Sequence, residues 1–411
     1  MRRLRTLGAA IGAVVAVAVT TVTTATPAAA AQPPTHTWHK QTLWKQYTGT
    51  DPATGATVTT CYRLPAVVRT RNDVLLAFAE RRNRNNCADH GAFDVVMRRS
   101  TDNGVTWEAS RTVLAGTAGA ALQGNATVVA DSSGPVFLFT TSEPTATQTT
   151  PRVPKVQVSN DDGRTWSAPR DLSADIKAPA GAGDWFATGP GHGIQLTRGA
   201  HAGRLVVPVY FAVGDRQSVR LVYSDDHGAS WRIGATATYD KTVLKLGEQT
   251  LVERTDGSIL VIARNGAVPD DQTSVHGLAK GVSSDGGLTF DGGFRADNAV
   301  TAPPTHPALL RQRWDGGPYT RILLSAPATP KTNNNPVGMN VRSSFDEGAT
   351  WRDYDGSTGN AGVRIDGDHA GYSDMTLLGN GAIGVLYEAG AARFRDEIRW
   401  NWFWESAIGL R

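Results

Sequence analysis

The chain has 411 residues, with 41 Lys and Arg against 38 Asp and Glu and only two cysteines. Three of the cations, Arg2, Arg3 and Arg5, stand at the very start, and without them acidic and basic residues balance. With no Lys/Arg run anywhere, charge gives no support to a nucleic-acid or anionic-membrane surface.

The early arginines precede an apolar run from Leu7 to Val19 and a small-residue stretch, Ala28 to Ala31, with an AxA cleavage pattern. This predicts a signal peptide over residues 1–31 and a secreted mature chain from Gln32. No later stretch approaches the ~20 apolar residues of a membrane helix. In the oxidising compartment this implies, Cys61 and Cys87 are expected to form a disulfide, with two separate buried thiols as the alternative. Two cysteines without a His pair at ligand spacing make no zinc site.

From Ser100 onward one turn motif recurs: STDNGVTW at 100, SNDDGRTW at 159, SDDHGASW at 224, SSDGGLTF at 283 and SFDEGATW at 344, with starts 59, 65, 59 and 61 residues apart. Its aspartates, Asp102, Asp161, Asp226, Asp285 and Asp346, suit the acceptor of a tight turn, its glycines suit positive φ, and the terminal aromatic can cover the turn. These residues read as structural. Between the motifs lie short β-branched and aromatic runs, DVLLAFAE at 73, PVFLFTT at 135, RLVVPVYFA at 204, SILVIAR at 258, RILLSAP at 321 and AIGVLYEAG at 382, bounded by turn residues. A multi-strand repeat of ~60 residues implies radially arranged four-stranded blades. The expectation is an all-β, six-bladed propeller filling residues 32–411 as a single domain.

The repeated turn is the Asp box, and over nearly its whole mature length the chain resembles the exo-sialidases (neuraminidases). The resemblance implies a role for each of several local motifs. YRLP at 62–65 places Arg63 as the first arginine on the substrate carboxylate, and ILVIARNG places Arg264 as the second; arginine forks suit a carboxylate. CADHGAFDVVMRRS at 87–100 places Asp89 as the acid/base, with Asp94 as a rival inside the following strand. HAGYSDMTLL at 369–378 gives Tyr372 as nucleophile, and LGEQTLVERTDG at 246–257 gives Glu248 as its base, leaving Glu253 to the strand's solvent face. A neutral phenol suits attack at an anomeric carbon that already bears a carboxylate, and a tyrosine nucleophile departs from the usual carboxylate pair. Glu388 in VLYEAG is expected to pair with Arg63.

The family's third carboxylate-binding arginine has no counterpart, for counting back from Arg342 its place falls on Pro336, and neither Lys331 nor Arg342 itself matches cleanly. GDWFATGPGHGIQL at 183–196 resembles a loop over the active-site face, with Trp185 and Phe186 as pocket walls and Gln195 within reach of a hydroxyl. His192 and His369 read as structural, and no metal or other cofactor is called for.

The implied activity is retaining release of a terminal sialic acid from glycoconjugates through a tyrosyl-glycosyl intermediate, by a monomer that needs neither nucleic acid nor membrane. One alternative keeps the fold and chemistry but acts on deaminated neuraminic acid or another 2-keto-3-deoxy sugar. A second is a glycan-binding propeller without activity, which would have no need of Asp89, Glu248 and Tyr372.

Overall fold

The computed structural model describes residues 38–50, 54–83, 87–89, 91, 93–116, 122–143, 152–177, 185–267, 277–312, 321–332, 335–352 and 362–409; the leader expected over residues 1–31 lies outside them. Each β-branched and aromatic run between the turn motifs becomes a strand, and the longest α-helix among the described residues is the four-residue turn Ser173–Ile176. None of the described helices is long and apolar enough to cross a membrane.

The strands form five sheets in a propeller-like arrangement. The first holds Tyr47–Thr50, Thr57–Arg69, Leu75–Arg82, Asp94–Ser100 and Arg111–Leu114; the second holds Leu122–Ala130, Val136–Glu143, Val153–Ser159 and Arg170–Asp171, with Gly191–His192 added parallel to its first strand. The third is built on Leu205–Val213, Arg216–Ser224 and Arg232–Asp240, and the fourth runs from Leu246–Glu253 through Ile259–Asn265 and Leu278–Ser283 to Arg295–Ala296. Seven strands make the last: Ala308–Gln312, Arg321–Thr332, Asn335–Ser344, Val363–Leu377, Ile383–Gly390, Glu397–Phe403 and finally His39–Lys45 from the other end of the chain. Closure by an early strand beside the last one covers an edge that would otherwise invite pairing with another chain.

Inner strands of the sheets touch one another around a ring: Thr57–Arg69 meets Leu122–Ala130 and Val363–Leu377, and Leu246–Glu253 meets Ala308–Gln312. Leu246–Glu253 among these inner strands, like the neighbouring strands Val136–Glu143 and Ile383–Gly390, is buried at every residue, so both of its faces are covered. Apolar clusters fill the gaps between sheets, as where Leu76 and Phe78 of the first sheet meet Val128 and Leu138 of the second.

All five Asp boxes adopt one geometry. In the first, Ser100 Oγ donates to Asp102 at 2.7 Å and accepts from the Gly104 amide at 2.9 Å, while the Thr106 amide and hydroxyl donate to Asp102 at 2.9 and 2.6 Å. The other four repeat the pattern around Asp161, Asp226, Asp285 and Asp346. The aromatic does not merely cover its own turn, for Trp107 packs edge-on against Trp400, Trp166 against Phe78 and Trp231 against Phe139, each on the preceding sheet. The box is therefore a staple between neighbouring sheets.

Candidate active site

The site lies where the inner strands break register. The Thr57–Arg69 ladder shifts between Arg63 and Ala66, with Leu64 at φ 56°, and the Leu246–Glu253 ladder shifts between Leu246 and Gln249. Strand Val363–Leu377 shifts between Ala370 and Ser373, and Leu122–Ala130 between Gly124 and Thr127. A bulge re-aims one side chain while the ladder continues. Here the bulges free Arg63, Glu248, Tyr372 and Asn125 to line one cavity of about 630 Å³.

At its floor the Tyr372 hydroxyl donates to Glu248 Oε1 at 2.6 Å and accepts from Arg264 Nη1 at 2.7 Å; the same nitrogen reaches both Glu248 oxygens at 3.2 and 3.3 Å. Burial raises the Tyr372 phenol well above its ordinary value; the Arg264 charge opposes this and the Glu248 charge adds to it. Glu248 moves the other way. Its burial favours the neutral acid, but Arg264 and the tyrosine hydrogen bond outweigh it and hold the carboxylate below the ordinary glutamate range. The resting pair is thus a neutral phenol bonded to an ionised base, the arrangement in which a proton can pass as the oxygen attacks.

Beside it, Arg63 Nε lies 2.5 Å from Glu388 Oε1, and Glu388 also accepts from the amides of Leu64 at 3.0 Å and Tyr372 at 3.2 Å. One buried carboxylate therefore orients the first arginine and the backbone of the tyrosine. Gly371 makes this approach feasible, since a Cβ there would collide with Glu388 Oε2 and the Phe394 ring. Arg63 is desolvated by burial, but the Glu388 charge more than compensates and keeps the guanidinium charged.

Asp89 stands at the rim with its side chain three-quarters exposed, bonded to Arg82 and 3.7 Å from Arg63. Arg82 is itself held by Glu80 at 2.9 and 3.0 Å, and the bonded pair Cys61–Cys87 ties the base of this short segment to the first sheet. The rival Asp94 faces elsewhere, bound to Arg81 and Asn83.

The structure thus gathers Arg63, Arg264, Asp89, Glu248 and Tyr372 into one cavity, with Glu388 behind them. Other expectations are corrected. Phe186 is fully buried and stacks on Phe211 in the core beneath the third sheet, because its strand Trp185–Ala187 pairs with Leu205–Val213. Of Trp185 only the backbone is described, opposite Ala212. Gln195 is bound to Asp131, Ser132 and Gly203 and lines a separate cavity of about 410 Å³. Glu253 has no solvent face, since it is buried and accepts from Thr197 and Arg198. Arg342 is fully buried and spends its guanidinium on the carbonyls of Thr301, Ala326 and Pro327. The Lys331 side chain lies outside the described residues, whereas Pro336 lines the cavity. His192 bonds Asp374 at 2.6 Å, and His369 sits in the ladder opposite Gly390. Among the described residues no three His, Cys, Asp or Glu side chains assemble as metal ligands.

Sequence reading missed Arg82, Arg152, Tyr210, Arg393 and Arg395, all of which line the cavity. FAERR at 78–82 held the only local signal, an arginine beside a strand-end glutamate; the rest arrive from distant segments.

Residues 72–385 match the family model of the BNR repeat-like domain. The chain is 32% identical over 348 residues to a sialidase of Micromonospora viridifaciens, covering 80% of this chain and 50% of that protein. To an exo-alpha-sialidase of Aspergillus fumigatus it is 31% identical over 354 residues, covering 80% of this chain and 78% of the relative. Among solved structures, a Hadza microbial sialidase superposes with a TM-score of 0.68 at 22% identity, over 85% of this chain and 66% of the other. The likeness to that structure concerns the fold alone.

Proposed function

The chain belongs to the sialidase family with BNR repeats, and from this we propose that it is an exo-α-sialidase, a retaining glycoside hydrolase acting on terminal sialic acids. The observation that carries this reading is the bond from Tyr372 to Glu248, braced by Arg264. A site that only held a glycan would gain nothing from a buried phenol presented to an ionised base.

In the proposed cycle the substrate carboxylate lies against Arg63 and Arg264. The Tyr372 oxygen attacks the anomeric carbon and its proton passes to Glu248. The glycosidic bond breaks as the leaving oxygen takes a proton from Asp89, whose exposed rim position faces the aglycone. Water then attacks the tyrosyl-linked sugar, Asp89 takes its proton, and the departing phenolate recovers a proton from Glu248. Two displacements give net retention. A neutral nucleophile avoids repulsion from the substrate carboxylate, and the fixed guanidinium stabilises phenolate as it leaves.

The reading extends to architecture and location. We count six blades, taking the seven-stranded sheet as two that share the strand Val363–Leu377; this strand pairs with Asn335–Ser344 through its first half and Ile383–Gly390 through its second. An apolar cluster between Leu323 and Val341 on one side and Val385 and Tyr387 on the other supports the division. The leader-like segment before Gln32 supports secretion, and the monomer remains part of the proposal.

The test is release of 4-methylumbelliferone from paired α-ketosides of N-acetylneuraminic acid and deaminated neuraminic acid, with NMR of the first sugar anomer formed. The account expects release as the α-anomer and its collapse in Tyr372→Phe. Faster turnover of the deaminated ketoside would move the substrate assignment to that sugar. A folded wild type that binds sialoglycans and releases nothing would favour the binding module.

A further inference from the structure

Four of the arginines lining the cavity are already matched by a carboxylate: Arg63 by Glu388, Arg82 by Glu80, Arg264 by Glu248 and Arg152 by Glu143. Two others line the same cavity with no ion pair or side-chain hydrogen bond among the described residues, namely Arg393 and Arg395 in the turn between strands Ile383–Gly390 and Glu397–Phe403. The acid nearest in sequence, Asp396, faces away, binding Gln46 and the Arg393 amide.

This turn is built to face the site. Phe394, between the two arginines, places its ring 5.2 Å from the Arg63 guanidinium and against Gly371. Asn335 clamps the backbone on both sides, its Nδ2 donating to the Ala392 carbonyl at 2.8 Å and its Oδ1 accepting from the Phe394 amide at 3.0 Å. The clamp is the neighbour of Pro336, so the wall where a proline provides no charge is where the turn brings two. Uncompensated guanidinium groups over a cavity whose other arginines are neutralised mark the side on which an anion gains most.

We infer that Arg393 and Arg395, carried on the turn that Asn335 pins, supply the remaining cationic contact to the substrate carboxylate beside Arg63 and Arg264. The inference rests on the sialidase reading, and its test separates the two. Calorimetry would compare 2-deoxy-2,3-didehydro-N-acetylneuraminic acid with its methyl ester, for the full chain and for the Arg393→Ala/Arg395→Ala double variant, at about 0.5 M salt, where screening confines charge effects to roughly 4 Å.

Loss of charge-assisted contacts should weaken binding of the acid by about tenfold or more and leave the ester within about twofold. The corresponding double lysine variant should recover part of the loss, because lysine restores charge without the fork. Equal weakening of acid and ester, or none of either, would overturn the inference while wild-type binding leaves the sialidase reading standing. A wild type that binds neither ligand would remove both.

Discussion

At the residue scale the site is a set of charges balanced in pairs. Glu248 is shared between Tyr372, as hydrogen-bond acceptor, and Arg264, as counter-ion, so its replacement strikes twice. Glu248→Gln should lower kcat by roughly 10²–10⁴-fold, the usual range for a lost general base, while circular dichroism shows an intact fold. The same carboxylate sets one limb of the pH profile. It must be ionised to take the phenol's proton, and its pKa lies below the ordinary 4.5, so activity should fall only as pH drops through that depressed value. A kcat/KM limb assigned to Glu248, by its disappearance in Glu248→Gln, that lay above pH 4.5 would contradict this electrostatic picture.

At the scale of the element, two devices hold the functional residues in place. The first is the Asp box, whose glycine sits at positive φ and against the preceding sheet. Gly163 has φ 75°, and a Cβ there would come within 2.8 Å of Leu76. Gly163→Ala should cost about 1–2 kcal/mol from backbone strain alone, read as a lower midpoint in denaturant. The second is the disulfide that anchors the segment carrying Asp89, its cysteines 26 positions apart in sequence. The paired Cys61→Ser/Cys87→Ser variant should lose about 3 kcal/mol of stability and lose turnover through a looser Asp89. Unchanged turnover in a destabilised protein would limit the bridge to a stabilising role.

These elements also show what a sequence can reveal. The boxes are local, each closing within a few residues, so both their recurrence and their turn chemistry can be read directly. Tyr372, Glu248, Arg63 and Asp89 stand in short motifs with the same advantage. Glu253 was assigned to solvent by assuming a one-sided strand, whereas its strand is buried throughout. Phe186 and Gln195 lie in a stretch whose pairing depends on strands further along the chain, and the turn carrying Arg393 is held by Asn335 across 57 and 59 residues. Nothing near those residues in sequence announces such partners.

At the scale of the whole molecule, the propeller-like arrangement brings residues hundreds of positions apart to one end of a ring of inner strands. Arg63 meets Glu388 across 325 residues and Tyr372 meets Glu248 across 124. Each comes from a different strand; register breaks turn Arg63, Tyr372 and Glu248 toward the same cavity, with Glu388 behind them. On the proposed reading, Tyr372 is a pre-organised nucleophile whose geometry is stored in the architecture and not in any one loop. The most direct test of that claim is covalent trapping. The full chain would be incubated with 2,3-difluoro-N-acetylneuraminic acid, digested and mapped by mass spectrometry. The account predicts a fluorosialyl adduct on the peptide carrying Tyr372, absent from Tyr372→Phe. An adduct on Glu248 or Asp89, or rapid turnover of the α-ketoside with no covalent species under any condition, would contradict it.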